Sequence, residues 1–265
     1  MKPAIVLPFH DPGGLVLPLF TAVTPHLKGL FEQAFVSISP PTQARQPEWI
    51  LSLQQDRFFV VNFNQPGSLP GDHYLAGYRS ALAHVPSDTP LHLCDIDRVA
   101  YTLLTGFHAA FAADVQAASR AEGPLLFQRS PQAWSTYPQH YYELEHMLIR
   151  VGELLYNRYL DFAWSHMVIR ASLLADLLPR LRSRDFGLLI EMVLLLEDRL
   201  ETKEVDWLAW EDPFILGRDP AELRAERDAS REETVKRLRG LLPFFQHFLT
   251  LNPDLNTQLK WDKSK

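Results

Sequence analysis

Short apolar runs rich in β-forming residues alternate with helical segments through the first part of the chain, and this alternation limits the folds that it can adopt. The runs cover residues 4–9, 34–39, 57–63 and 91–94. Segments with the apolar spacing of helices separate them, over residues 15–33, 42–55 and 72–84, and a further helix is predicted over residues 99–118. Strands that alternate with helices are typical of βαβ units, whose strands form a mainly parallel sheet. We therefore predict an α/β fold, a Rossmann-like domain in which helices flank a mainly parallel mixed sheet.

The fourth run ends in two carboxylates, Asp95 and Asp97, within the sequence Leu-His-Leu-Cys-Asp-Ile-Asp-Arg of residues 91–98. On an extended backbone, side chains two residues apart point the same way. Two carboxylates that meet at one point repel each other unless a cation lies between them. Such hard oxygen ligands suit Mg²⁺ or Mn²⁺ shared with a phosphate. The alternative is that Asp95 caps the next helix and Asp97 is solvated.

The bulk properties exclude several classes of protein. The chain has 265 residues, of which 46% are hydrophobic, so it can form one large α/β domain. Its formal net charge of −6 argues against non-specific nucleic-acid binding. Cys94 is the only cysteine, which excludes an intrachain disulfide, and no signal peptide is recognisable. No segment approaches the roughly 20 apolar residues of a membrane span, so we expect a cytoplasmic protein.

The later part of the chain has predicted strands at residues 123–129, 162–170 and 205–210, the last of which ends in Glu211 and Asp212. Asp219-Pro220-Ala221-Glu222 has the residues of a capped helix start. We therefore divide the chain into a main domain of residues 1–218 and a C-terminal helical extension with a polar tail, residues 219–265. Its charged helix and its aromatic run would suit a homodimer contact or peripheral membrane contact, and both stay open.

With these landmarks placed, residues 4–212 resemble the nucleotide-sugar glycosyltransferases of the GT-A fold. Ile5-Val6-Leu7-Pro8-Phe9-His10 is similar to the first strand and loop of that superfamily, where the base is held. Residues 71–82 resemble the helix before the family's metal motif, with Ser80 where asparagine is usual, and Asp95-Ile96-Asp97 matches the motif itself. Residues 185–191 are similar to a segment of retaining members and Trp210-Glu211-Asp212 to one of inverting members, so the stereochemistry stays open.

The resemblance implies a metal-dependent glycosyltransferase that moves a sugar from a nucleotide-diphosphate donor to an unidentified acceptor, with Mn²⁺ or Mg²⁺ as cofactor. The residues that it implies for the nucleotide are Pro8, His10, Asp72, Arg79 and Asp95, and those for the metal are Asp95, Asp97 and Asp212. Glu211 or Asp212 would serve as the general base of an inverting enzyme. Glu191 is a further catalytic candidate, because a carboxylate inside the apolar stretch 188–196 requires a partner.

Two other functions fit parts of the sequence. A nucleotidyltransferase also carries aspartate pairs on a parallel sheet, but the loop at Gly13-Gly14 lacks the lysine expected near its phosphate loop. A catalytically degenerate GT-A-like scaffold would instead bind a partner through residues 220–251. His166 is interpreted as a core histidine rather than a ligand, and the aromatic group around Trp134 and Tyr137 fits either sugar stacking or a packed loop.

Overall fold

A seven-stranded sheet forms the centre of the computed structural model, which describes residues 2–250 except for the side chains of Glu197 and Thr250. The strands are β1 (Ala4–Phe9), β2 (Ala34–Ile38), β3 (Phe59–Phe63), β4 (Pro90–Cys94), β5 (Leu125–Arg129), β6 (His166–Arg170) and β7 (Glu201–Val205). They lie in the order β3-β2-β1-β4-β6-β5-β7. Only β6 runs antiparallel to its neighbours, β4 and β5; the other paired strands within residues 2–250 are parallel. The predicted mainly parallel mixed sheet is confirmed.

Helices cover both faces of this sheet. Within the described residues they are α1 (Leu17–Leu30), α2 (Pro40–Arg45), α3 (Pro47–Gln55), α4 (Pro70–Leu82), α5 (Ile96–Leu104), α6 (His108–Ala118), α7 (Pro131–Trp134), α8 (Gln139–Tyr156), α9 (Ala171–Leu177), α10 (Gly187–Leu196), α11 (Asp212–Leu216), α12 (Pro220–Ala229) and α13 (Arg231–Thr250). Short 3-10 turns occupy Leu178–Arg180, Glu197–Arg199 and Asp206–Leu208.

Each face of the sheet has its own hydrophobic core, because successive strand residues point to opposite faces. Along β1, Val6 enters one core, while Ile5 and Leu7 enter the other. Helices α4, α8, α9, α10 and α13 cover the first core, and α1, α3, α5 and α6 cover the second. Burial on both faces explains why the central strands read as continuous apolar runs.

Several predicted elements differ from the structure. The strand expected over residues 162–170 begins only at His166, as β6. The helix expected over residues 42–55 is two helices, because Pro47 lacks the N–H that would continue α2 and begins α3 instead. The helix expected over residues 99–118 is also two helices, α5 and α6. The strand expected at residues 205–210 is wrong: β7 ends at Val205, and the apolar run after it is buried as a 3-10 turn and coil.

The C-terminal helices pack against the rest of the fold. Leu241, Phe244 and Phe248 of α13 are buried in the first core, and Leu223 of α12 packs with Trp210. The division at residue 218 stays a prediction, although this packing joins α13 to the core under the sheet. The predicted tail of residues 252–265 lies outside the described residues. None of the helices within residues 2–250 is long and apolar enough to cross a bilayer.

Candidate functional site

The carboxyl ends of β1, β2 and β4 lie together at one rim of the sheet, as parallel pairing requires. A cavity of about 350 Å³ opens at this rim, and Pro8, His10, Asp95 and Asp97 line it. His10 Nδ1 lies 2.9 Å from Ser39 Oγ, which links the loops after β1 and β2. A larger cleft of about 740 Å³ opens at the opposite edge and contains none of the predicted site residues. The rim cavity is therefore the candidate functional site.

The two acids after β4 occupy the start of α5. Asp95 is the last extended residue before the helix, and its side chain accepts a hydrogen bond from the Tyr74 hydroxyl at 2.9 Å rather than capping the helix. Asp97 lies in the first helical turn and accepts a hydrogen bond from the Arg98 amide at 2.8 Å. The expectation that both acids lie on extended backbone is wrong, because the helix begins between them, yet both side chains reach the same cavity.

Burial and charge make Asp95 an unusually weak acid. Loss of solvent is the main cause that raises its pKa, to about 7, and the nearby charge of Asp97 raises it further. The hydrogen bond from Tyr74 and the charge of Arg98 oppose this shift only in part. A cation between Asp95 and Asp97 would relieve their repulsion.

The predicted late acids share this rim. Tyr101 of α5 packs against Phe214 of α11, with ring centroids 5.7 Å apart, and this contact holds the start of α11 beside α5. Burial raises the pKa of Glu211 to about 7 and raises the pKa of Asp212, and the charge of Asp97 contributes to both shifts. Asp97, Glu211 and Asp212 are therefore close enough to interact and form one acidic cluster, although neither Glu211 nor Asp212 lines the cavity.

Arg98 is a cation within this cluster that the sequence analysis missed. Its Nη1 lies 3.3 Å from Glu211 Oε2 and donates a hydrogen bond to the Tyr137 hydroxyl. That hydroxyl in turn donates to the Leu208 carbonyl oxygen at 3.0 Å, which fixes its position. Arg98 directly follows Asp97, in the first turn of a helix that starts at the rim. This position was a local indication that Arg98 lies beside the acids.

Two predicted nucleotide residues lie away from the cavity. Asp72 accepts a hydrogen bond from the Leu69 amide at the start of α4 and forms a two-point ion pair with Arg184, at 2.9 and 2.7 Å. Arg79 is exposed in the last turn of α4, which runs from the rim towards the opposite edge of the sheet. Neither side chain lines the cavity.

The neighbours of Asp72 line the cavity in its place, because each helical residue is rotated by about 100° from the one before it. His73 and Tyr74 both line it, together with Phe186 from the loop before α10. Burial lowers the pKa of His73, and the nearby His10 lowers it further. Residues 71–82 therefore lie beside the cavity, with His73 and Tyr74 rather than Asp72 and Arg79 in its wall.

Glu191 is buried and has a full set of partners. Its Oε2 accepts hydrogen bonds from the amides of Arg182 and Ser183, at 2.8 and 2.9 Å, and its Oε1 lies 3.0 Å from His247 Nε2 of α13. The partners that a buried carboxylate requires are therefore present within the fold. Glu191 is not among the residues that line the cavity.

His166 lies in the second core, as interpreted from the sequence. Its Nδ1 is 2.9 Å from Nε2 of His92, and both rings are fully buried. The ligand atoms of these histidines and of Cys94 lie within 4.8 Å of one another. Trp134 and Tyr137 are also buried, with Arg129 stacked 3.6 Å from the Trp134 ring centroid, which favours the packed-loop alternative for this group.

Solved structures of other proteins are similar to this chain. Neither a protein-family model nor a curated protein sequence matches the chain. Glucosyl-3-phosphoglycerate synthase from Mycobacterium tuberculosis, in complex with Mn²⁺, uridine-diphosphate-glucose and phosphoglyceric acid, is similar with a TM-score of 0.51 and 13% identity. The match covers 93% of this chain and 79% of that one. The 4-diphosphocytidyl-2C-methyl-D-erythritol synthase from Anaerococcus prevotii is 9% identical with a TM-score of 0.48, over 84% of this chain and 98% of that one.

At this level of identity, the likeness concerns the fold. The seven-stranded, mainly parallel sheet with helices on both faces is consistent with it. The chain therefore has a Rossmann-like GT-A fold.

Proposed function

We propose that this chain is a metal-dependent glycosyltransferase that moves a sugar from a nucleoside-diphosphate donor to an acceptor hydroxyl. The observation that carries this proposal is that Asp95 and Asp97, after β4, line one cavity, while Asp212, after β7, lies close enough for the charge of Asp97 to raise its pKa. The M. tuberculosis synthase with the same fold binds Mn²⁺ and uridine-diphosphate-glucose, which supports a similar donor here.

The residues of the cluster fit a hard divalent cation. Asp97 and Asp212 are our candidates for direct ligands, and Asp95 would bind the ion through water or contact the ribose. Their carboxylate oxygens are the donors that Mg²⁺ and Mn²⁺ prefer, and their mutual repulsion favours a positive charge between them. When bound, the ion would neutralise the charge that develops on the departing diphosphate.

The cavity gives the donor a place beside these acids. His10, His73 and Tyr74 line it and would contact the nucleoside, while Pro8 shapes the end of β1. Tyr74 also holds Asp95 through its hydroxyl, so one residue both lines the cavity and orients an acid. Its wall combines aromatic and apolar surface with a few polar groups, as small-molecule sites commonly do.

Glu211 is our candidate for the general base of an inverting reaction. A carboxyl group whose pKa lies near 7 can accept a proton from an acceptor hydroxyl at neutral pH. Arg98, 3.3 Å away, would hold the carboxylate in position and limit its repulsion from Asp97. Asp212 is more exposed than Glu211, which suits the metal role that we assign to it.

Titration calorimetry with UDP, GDP and ADP, with and without Mn²⁺, tests this proposal. We expect Mn²⁺-dependent binding of one nucleotide, weakened by about tenfold or more in Asp97→Asn and Asp212→Asn, since each variant removes a charged ligand. Asp88→Asn is the matched control, because Asp88 is exposed at the opposite edge of the sheet.

Far-UV circular dichroism would establish that all three variants fold. Absence of Mn²⁺-dependent binding in the wild type, or wild-type affinity in Asp97→Asn, would refute the metal-site proposal. Nucleotide binding without sugar transfer, in a screen of nucleotide sugars and acceptors, would identify the degenerate scaffold instead.

A further inference from the structure

Helix α13 carries two apolar stripes. The inner stripe, Leu241, Phe244 and Phe248, is buried in the first core and anchors the helix. A second set of apolar residues on this helix is exposed, with relative exposures of 44% for Val235, 41% for Leu238, 52% for Leu242 and 49% for Leu249. We call these four residues the outer stripe. Within residues 2–250, the helix therefore keeps these apolar side chains partly exposed beside its contacts with the first core.

The spacing of the outer stripe places its members in one line. They follow each other at intervals of three, four and seven residues, which keep side chains on the same side of an α-helix. Single exposed leucines are common on protein surfaces, whereas a continuous apolar face marks an interaction site. The alignment therefore indicates a surface that meets an apolar partner.

The charges around the outer stripe indicate which partner it fits. Arg231, Lys236 and Arg239 are exposed on the same helix, against one exposed acid, Glu232. Of the other charged side chains of α13, Arg237 pairs with Glu145, and Glu233 pairs with Arg227 and lies 3.7 Å from the Lys236 ammonium group. The exposed charged side chains of this helix are thus mainly cationic, on a chain whose formal net charge is −6.

We propose that the outer stripe of α13 binds an anionic lipid surface. A row of leucines flanked by lysine and arginine is suited to the interface of a bilayer, where apolar side chains enter the acyl boundary and cations meet the headgroups. A second copy of the chain fits less well, because the same patch of that copy carries the same excess of cations and offers them only Glu232 as an exposed acid. The binding is peripheral and is independent of the sugar-transfer proposal.

Cosedimentation of the full chain with lipid vesicles tests this surface. We expect binding to vesicles that contain equal amounts of phosphatidylcholine and phosphatidylglycerol, little binding to phosphatidylcholine alone, and weaker binding as salt is raised. Leu238→Glu with Leu242→Glu should lower the bound fraction by about tenfold, and Lys236→Glu with Arg239→Glu by a similar factor. Leu51→Glu is the matched control, since Leu51 is 56% exposed on α3, far from α13 in the fold.

Lys236→Glu with Arg239→Glu changes two exposed cationic side chains. This double variant therefore still tests the proposal if Leu238→Glu with Leu242→Glu disturbs folding. Wild-type protein that stays in the supernatant with anionic vesicles would overturn the proposal. An equal loss of binding in Leu51→Glu would overturn it as well. If the wild-type chain does not bind vesicles, and light scattering shows a dimer that Leu238→Glu with Leu242→Glu dissociates, the outer stripe binds a second copy and the lipid proposal is overturned.

Discussion

The Tyr74 hydroxyl donates a hydrogen bond to Asp95 Oδ1 across 2.9 Å, from the helix before β4 to the residue after it. Four residues further along α4, the buried hydroxyl of Tyr78 has no hydrogen-bond partner among the described residues. Comparing the two tyrosines therefore measures what a hydrogen-bonded hydroxyl contributes to stability relative to a buried hydroxyl without a partner.

We expect Tyr74→Phe to lower the free energy of unfolding by about 1 kcal/mol at pH 7.5, because it removes a hydrogen bond to a partly buried acid. Tyr78→Phe should be neutral or slightly stabilising, since it removes a hydroxyl without a partner. Urea unfolding of both variants measures the difference. Equal effects would mean that the Tyr74 hydroxyl contributes nothing to holding Asp95.

The buried histidine pair makes the fold sensitive to acid. Burial lowers the pKa of His92 to about 3 and the pKa of His166 well below the ordinary value of 6.5. The unfolded chain therefore binds more protons between pH 6.5 and the native pKa, so stability is full above pH 6.5 and is lost as the pH falls. At pH 5 the loss is about 2 kcal/mol for His92, and His166 contributes in the same direction.

His92→Phe should weaken that dependence, because it leaves one fewer buried histidine to protonate. The measurement is the change in unfolding free energy between pH 7.5 and pH 5, with the wild type as reference because it shares all the carboxylates. A variant that loses as much stability as the wild type over this range would show that His92 does not titrate on unfolding.

Glu191→Gln separates a structural role from a catalytic one. A glutamine oxygen can still accept from the amides of Arg182 and Ser183, so we expect a loss of stability of about 1 kcal/mol or less. Glu191→Ala leaves both amides unpaired and should cost about 3 kcal/mol. Transferase activity measured in Glu191→Gln should stay within threefold of the wild type. A loss of a hundredfold or more in this folded variant would return Glu191 to the catalytic candidates.

Two glycines on neighbouring helices should respond to alanine in opposite directions. A Cβ added at Gly152 of α8 would lie 2.0 Å from Phe162 Cε2, and Phe162 itself packs against Phe248 of α13. Gly152→Ala should therefore destabilise the protein by about 3 kcal/mol through overpacking. Gly240→Ala in α13 meets nothing within 4 Å and should stabilise it by about 0.5–1 kcal/mol. Thermal unfolding measures both shifts, and a neutral Gly152→Ala would show that Phe162 can move aside.

The parts of the fold set by neighbouring residues could be predicted from the sequence. β1 ends at Phe9 as predicted, and the Asp219 side chain accepts from the amides of Ala221 and Glu222 as its motif indicates. The paired acids Asp95 and Asp97 could be placed at the rim because an apolar run ends directly before them. In each case the determining chemistry lies within a few residues.

The parts that depend on distant contacts could not be predicted in this way. β7 consists of Glu201-Thr202-Lys203-Glu204-Val205, a polar sequence that forms a strand because it pairs with β5 at the sheet edge. The buried apolar run after it was mistaken for that strand, since burial and strand formation leave the same hydrophobic signal. Pairs such as Arg98 with Glu211 and Glu191 with His247 join residues far apart in sequence, so no local pattern predicts which residues will pair.

The position of β6 between β4 and β5 determines when each strand can pair while the chain is being synthesised. β1 to β4 can pair as soon as they emerge, because each joins a strand that was made before it or next after it. β5 emerges next, but its place in the sheet is defined by β6, which is made some forty residues later. A nascent chain that stops before Arg170 must therefore carry β5 as an unpaired apolar segment, the kind of segment that chaperones bind. Pausing of translation between β5 and β6 would prolong this exposed state, whereas pausing after β6 would not.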